Sequence, residues 1–326
     1  MRTRILTRAE LEGLATMGEV VDAVEGAFRA HAEGRTQMPA KVYLSLPEHQ
    51  GDFRAMPAAM EDVAGFKWVN SHRGNPKKFG IPAVMGVFVL SNPENGLPIA
   101  IMDATWLTAV RTGAAAGVAS RHLVAPSPST VGFVGCGVQA HFCLASHRAV
   151  FGDGFEALCA DLNPEAAEAF AAEIGATGIR ARAVSAEEAS GADVVNTSTP
   201  GTSVAVRAAW VRDGAHVNAM GADAPGKQEL ETSLLARAQV VIDEHHQATH
   251  SGEINVPLSE GAFSESDLAG TIGQVVTGAA TIDRARLSVF DSTGLAIQDL
   301  AVAKLLAARA EAQGVGHEVD LAGLGR

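Results

Sequence analysis

Residues 221–231 read GADAPGKQELE, directly after the apolar run AHVNAM. Asp223, Pro225, Gly226 and Lys227 fall between a strand-like and a helix-like segment. The stretch is either a polar turn or a carboxylate and an amine held for chemistry. An Asp in a G-x-D-x-P-G turn commonly bonds its own backbone, while a carboxylate at a strand end can also exchange a proton with a substrate. The first hundred residues offer cations: Lys41, Arg54, Lys67, His72 and Arg73. Arg54 (DFRAMPA) and Lys67 (GFKWVN) lie inside apolar strand candidates, where a charge is costly unless paired. Each predicts an anion close by, either a structural Asp or Glu or a bound carboxylate. Lys77, Lys78 and His49 read as solvated. DEHHQATH lacks metal-ligand spacing and reads as a polar loop or helix. Arg111, in TAVRTGAAAG, is placed either to meet a pyrophosphate or to cap a neighbouring helix.

A second constellation lies in TVGFVGCGVQAHFCLASH, which offers strand, tight turn and helix. Gly135-x-Gly137-x-x-Ala140 fits the G-x-G-x-x-G/A fingerprint of dinucleotide binding. Gly135 permits the turn, Gly137 lets a pyrophosphate approach the backbone, and Ala140 lets helix and strand pack closely. The helix N-terminus would present free N–H groups to the anion. Asp161 ends the next strand candidate, EALCAD, where a carboxylate meets the adenosine ribose. It is followed by Leu162 and Asn163 rather than Arg, which favours NAD over NADP. The competing reading is a glycine turn with a solvated Asp beyond it.

These residues need elements to position them. TRAELEGLATMGEVVDAVEGAFRAHAEG opens with a T-x-x-E capping box and continues at helical spacing. KVYLSL, FRAMPAAM, AGFKWVNS and AVMGVFVLSN read as strands of an antiparallel sheet. LTAVRTGAAAGVASRHL is a helix of small residues that must pack closely on a neighbour. From there strand-like and helical runs alternate through STVGFVGCG, FEALCADL, ADVVNTST, GAHVNAM, ETSLLARAQVVID and RLSVFDS, which predicts a parallel sheet covered on both faces. TGLAIQDLAVAKLLAARAEAQG reads as an amphipathic helix that packs back on the first domain.

The 326 residues suit two domains, and 47% hydrophobic against 19% charged residues supplies a core. A net charge of −12 argues against nucleic acid. No apolar stretch suggests a membrane span or a signal peptide. Cys136, Cys143 and Cys159 lack C-x-x-C spacing. The expectation is a soluble cytoplasmic protein that holds no metal.

FKWVN, TAVRTGAAAG, GFVGCGVQAH, GADAPGKQEL, GEINV and VFDSTGLAIQDLAVA, in this order, resemble the ornithine cyclodeaminase/mu-crystallin family, most closely its archaeal-type alanine dehydrogenases. The resemblance implies an α/β fold: a Rossmann-type doubly wound parallel sheet over 116–295, with a split α+β substrate-binding and dimerisation domain over 1–115 completed by 296–326. It implies NAD as cofactor, a small amino acid or 2-oxo acid as substrate, and a homodimer. Asp223 then matches the catalytic aspartate. Lys41, Arg54 and Lys67 surround the substrate, with Lys67 also catalytic, stabilising charge on a carbinolamine. Arg111, Val138, Gln139, Asp161, Lys227 and Ser292 match cofactor contacts. Gly135, Gly137, Thr199 and Met220 join the cofactor set, and Thr293 the substrate set. The reaction implied is NAD-dependent oxidation of a small L-amino acid, of alanine dehydrogenase type. Ornithine cyclisation, ketimine reduction and non-enzymatic binding of NAD(P)H with a small ligand remain alternatives.

Overall fold

A computed structural model describes residues 2–200, 203–321 and 323. The chain begins with β1 (Thr3–Leu6), the short helix α1 (Arg8–Leu11) and α2 (Met17–Ala32). Next come β2 (Thr36–Gln37), β3 (Val42–Leu46), β4 (Gly51–Met60), β5 (Val63–His72), α3 (Asn75–Phe79), β6 (Val84–Ser91), β7 (Pro98–Asp103) and α4 (Ala104–Leu123). The predicted single helical run at the start is in fact two helices. Thr16 caps α2 afresh, its hydroxyl accepting from the Glu19 N–H and its own N–H donating to the Glu19 carboxylate.

The alternation follows as β8 (Thr130–Val134), α5 (Val138–Phe151), β9 (Glu156–Ala160), α6 (Pro164–Ala176), β10 (Ala181–Ala183), α7 (Ala186–Ser190), β11 (Val194–Thr197) and β12 (His216–Ala219). It continues with α8 (Thr232–Leu235), β13 (Gln239–Ile242), α9 (His245–Ser251), α10 (Asn255–Ser259), β14 (Leu268–Thr271), α11 (Ile272–Thr277) and β15 (Ser288–Asp291). Helix α12 (Ala296–Gln313) and β16 (His317–Val319) close the described chain. These elements form two compact units, Met1–Arg111 with Leu295–Arg326, and Thr112–Gly294.

The first unit is built on a sheet of order β16-β1-β7-β6-β5-β4-β2, with β3 also on β4. All its pairings are antiparallel except β1 with β7. Period-two alternation divides its faces. Met56 stands opposite Lys67, and Arg54 opposite Val69, so both cations point to the same side. Helix α12 packs on that side against β4, β5 and β6, and against α2. It differs from the amphipathic helix expected: Ala296 through Ala303 are all buried, polar Gln298 and Asp299 included. The opposite face carries Val42, Leu44, Phe66, Trp68, Val87 and Ile99, all exposed.

The second unit holds a wholly parallel sheet of order β10-β9-β8-β11-β12-β15-β13-β14. The strands after β8 run outward in one direction to β10 and in the other to β12, so the order reverses between β8 and β11. That is the Rossmann arrangement, with its ligand crevice at the carboxyl ends of the strands beside the reversal. Strands β11, β12 and β15 are buried along their whole length, as a sheet covered on both faces requires. The small-residue stretch of α4 meets α5 closely: a Cβ on Gly113 would lie 2.5 Å from the Phe142 carbonyl. Cys136, Cys143 and Cys159 are buried free thiols. Among the described residues no helix is long and apolar enough to cross a membrane.

Candidate active site

In the first unit the centre of polarity is Lys67, whose side chain is 1% exposed. Its ammonium lies 2.9 Å from Asp299 Oδ1 and 2.8 Å from Oδ2. Arg111 reaches the same carboxylate, Nε donating to Oδ1 at 3.0 Å, and its Nη1 donates to Gln298 Oε1 at 2.9 Å. The anion predicted by a lysine inside an apolar strand is thus a carboxylate of α12. Burial pulls the Lys67 pKa down from its ordinary value to about 7; Asp299 works against that shift, while Arg111 and Lys41 add to it. The ammonium can therefore release and regain a proton near neutrality. Arg111 spends two donors on the first turn of α12. Arg54 has a separate partner, its Nε donating to Asp52 Oδ1 at 2.8 Å, and it covers the Tyr43 ring at 5.3 Å. Lys41 is half-buried, and its charge is felt at Lys67.

In the second unit the glycine loop follows β8. Gly135 adopts φ +93°, and a Cβ there would lie 2.9 Å from the Ser198 carbonyl oxygen, so only glycine fits. Gly137 caps the 14-residue helix α5 and a Cβ on it would meet nothing within 4 Å, leaving the helix N-terminus open to an anion. Val138 is exposed in the first turn, and Ala140 is buried against the core. Gln139, half-buried, bonds the Cys143 thiol. Asp161, just past β9, accepts from the Cys136 N–H at 2.8 Å and the Asn163 N–H at 2.9 Å. Its carboxylate is tied to the glycine loop rather than simply solvated. The loop, the open helix end and this carboxylate fit the pyrophosphate and ribose of a dinucleotide.

The other predicted residues line the same carboxyl edge of the sheet. Thr199 lies beyond β11, Met220 directly after β12, and Ser292 and Thr293 directly after β15. Backbone bonds fix them: the Met220 N–H donates to the Thr197 carbonyl, and the Ser292 N–H to that of Ala219. Thr293 donates its hydroxyl to Asp243 at 2.9 Å and its N–H at 2.6 Å. Asp243, the first residue of DEHHQATH and expected in a polar loop or helix, is instead buried just past β13.

Asp223 stands three residues past Met220, on a half-exposed turn. Lys227, four residues on, places its ammonium on Asp223 Oδ1. The turn between them is clamped by Asn255, which accepts from the Gly226 N–H at 2.9 Å and donates to the Lys227 carbonyl at 3.0 Å. Lys227, expected as a cofactor contact, is here paired with the Asp223 carboxylate. The histidines of DEHHQATH lie on α9, with the Glu244 carboxylate capping its first N–H groups. Among the described residues no group of three or more His, Cys, Asp or Glu side chains is arranged to hold a metal.

Comparison with known proteins accords with this geometry. The chain is 48% identical over 321 residues to an alanine dehydrogenase of Archaeoglobus fulgidus, covering 98% of each protein. A solved archaeal alanine dehydrogenase dimer with bound NAD superposes with a TM-score of 0.95 at 47% identity, over 98% of this chain and 100% of that one. The Thermococcus litoralis Δ1-pyrroline-2-carboxylate reductase, solved with NADH and L-proline, follows at a TM-score of 0.93 and 32% identity, over 97% and 100%. The profile of the ornithine cyclodeaminase/mu-crystallin family matches residues 1–314, and the chain belongs to that family.

Proposed function

We propose that this chain is an NAD-dependent oxidoreductase acting on the CH–NH2 group of a small L-amino acid, an alanine dehydrogenase that interconverts L-alanine and pyruvate with ammonia. The observation that carries this reading is the full-length 48% identity to the Archaeoglobus fulgidus enzyme. In it, residues 116–295 bind the dinucleotide and residues 1–115 with 296–326 bind the substrate. Gly135, Gly137, Val138, Gln139 and Asp161 hold the cofactor, joined by Thr199, Met220, Lys227 and Ser292. The Asp161 carboxylate accepts from a ribose hydroxyl and repels a 2′-phosphate, which selects NAD. When bound, the nicotinamide supplies the hydride acceptor or donor.

The protein's own groups supply the rest. Arg54, with Lys41 and Lys67, binds the substrate carboxylate by charge-assisted bonds that fix its orientation. Asp223 takes a proton from the substrate ammonium or from the water that attacks the imine. Lys67, a proton donor with a pKa near neutrality, stabilises negative charge on the carbinolamine oxygen. Asp299, itself held by Arg111, keeps that lysine in place; Arg111 is also a cofactor contact in this reading, and Thr293 a substrate contact.

We infer that the functional form is a homodimer, in which the partner covers the exposed apolar sheet face (Val42, Leu44, Phe66, Trp68, Val87, Ile99). The three buried free thiols fit a reducing cytoplasm. Purified protein given NADH, pyruvate and ammonium is expected to oxidise NADH. A parallel reaction with L-ornithine and NAD is expected to yield no proline. Proline with released ammonia would make the chain a cyclodeaminase. Silence in both assays would move ketimine reduction or ligand binding to the front.

A further inference from the structure

The second unit contains three buried carboxylates linked through backbone N–H groups, and the last of them touches both loops that carry the site. Asp291, at the end of β15, accepts from the N–H groups of Glu253 and Ile254 at 2.8 and 3.1 Å. Glu253 accepts from the N–H groups of Glu229, at 2.9 Å, and Leu230, at 2.6 Å. Glu229 accepts from the Thr197 hydroxyl at 2.7 Å, the Thr199 N–H at 2.6 Å and the Gly221 N–H at 2.7 Å. All three side chains are buried, and burial raises the pKa of each, that of Asp291 to about 8. Each carboxylate fixes the backbone of the residue bearing the next, so the end of β15 sets the place of Glu229.

Apolar side chains could fill this interior without the desolvation cost of three carboxyl groups. What they could not do is bond two loop N–H groups at once. Thr199 lies past β11, and Gly221 lies past β12, two residues before Asp223. The junction is tight: a Cβ on Gly221 would lie 2.4 Å from the Thr199 carbonyl oxygen and 2.5 Å from the Glu229 carboxyl carbon. An amide in place of the carboxylate would turn an N–H2 toward either the Thr199 or the Gly221 N–H. Two donors would then face each other, and one loop would be released.

We propose that Glu229 is a positioning residue of the site, stapling the loop after β11 to the loop after β12 and thereby setting where Asp223 stands. This rests on the reading of Asp223 as the proton-handling group. The test compares Glu229→Gln with Phe170→Leu, a core substitution on α6 that lowers stability without touching either loop. In Glu229→Gln the Thr199 and Gly221 amides should exchange with solvent at least tenfold faster than in Phe170→Leu. Its kcat in NADH-dependent amination of pyruvate should fall at least tenfold with KM changed less, while Phe170→Leu keeps kcat. Unchanged exchange at both amides, or a kcat loss matched by Phe170→Leu at equal loss of Tm, would overturn the proposal. If Glu229→Gln does not fold, Gly221→Ala disturbs the same junction with the carboxylate kept, and a wild-type kcat there would overturn it equally. An inactive wild-type protein would speak against the dehydrogenase reading alone, since amide exchange still reports on the staple.

Discussion

Asp223 shares its carboxylate with Lys227 on a turn that Asn255 clamps, so its place does not depend on its charge alone. Asp223→Asn should keep the turn and lose the base. We expect kcat to fall by ~10²–10⁴-fold, with NADH affinity by fluorescence titration within a few-fold of wild type. Near-normal turnover would remove Asp223 from the chemistry. Lys67 sets a pH dependence whose sign follows from burial. Its pKa is pulled to about 7, so the ammonium is present below that pH and lost above it. In the amination direction kcat/KM, which reports the free enzyme, should decline as pH rises through about 7. Lys67→Met should be nearly inactive and lack that inflection; a wild-type profile in this variant would show that another group titrates. Lys67 was legible in the sequence because a lysine amid strand-forming apolar residues demands a counter-charge. Its partner Asp299 was not, since nothing local reveals a bond spanning 232 residues.

Among the elements, alternation of apolar strands with helices gave the parallel sheet, and the glycine spacing gave its phosphate loop. Helix α12 departs from an amphipathic pattern only in its first half, for a physical reason. Gln298 and Asp299 look like a solvent face in a one-dimensional pattern, yet they are the polar part of a buried ion cluster. Short strands such as β1, β7 and β16 carry too few residues to show a period, and the carboxylates of KQEL, GEIN and VFDS show no burial in sequence. The sheet also contains a chain of neutral polar groups: His147 on α5 bonds Asn196 at 2.8 Å, Asn218 bonds both Asn196 and Ser120, and His216 bonds Asn218 and Ser288. Burial lowers the pKa of both histidines from 6.5 to about 4. Between those values the unfolded chain binds protons that the folded one refuses, so each ring removes stability as pH falls, on the order of 1 kcal/mol per pH unit. The buried carboxylates with raised pKa act in the opposite sense, so the prediction concerns a difference. Between pH 6.5 and 4, His147→Gln should lose less stability to acid than wild type, as read from urea midpoints. Parallel midpoint curves would mean that the ring is protonated in the folded state.

For the whole molecule, the apolar face of the first sheet is the feature with the largest consequence for assembly. Trp68, stacked on Phe53 at 5.2 Å between ring centroids, stands beside Phe66 on that face. Trp68→Glu should place an unpaired charge in a dimer interface formed there, and light scattering after gel filtration should then report a monomer. A dimer of wild-type affinity would locate the interface elsewhere.

The chain leaves the first unit at Arg111 and re-enters it at Leu295, and this has a consequence for synthesis. The 112–294 segment emerges from the ribosome whole and can condense on its own contacts, as domains generally do during translation. The first unit cannot. Its sheet waits for β16 to pair with β1, and Lys67 waits for Asp299. Until α12 arrives, β4 and β5 expose Met56, Val69 and an unpaired Lys67 on the face that the helix covers in the complete chain. A released chain truncated after residue 294 should therefore hold a folded nucleotide-binding half joined to a first half that chaperones and proteases still recognise as unfinished.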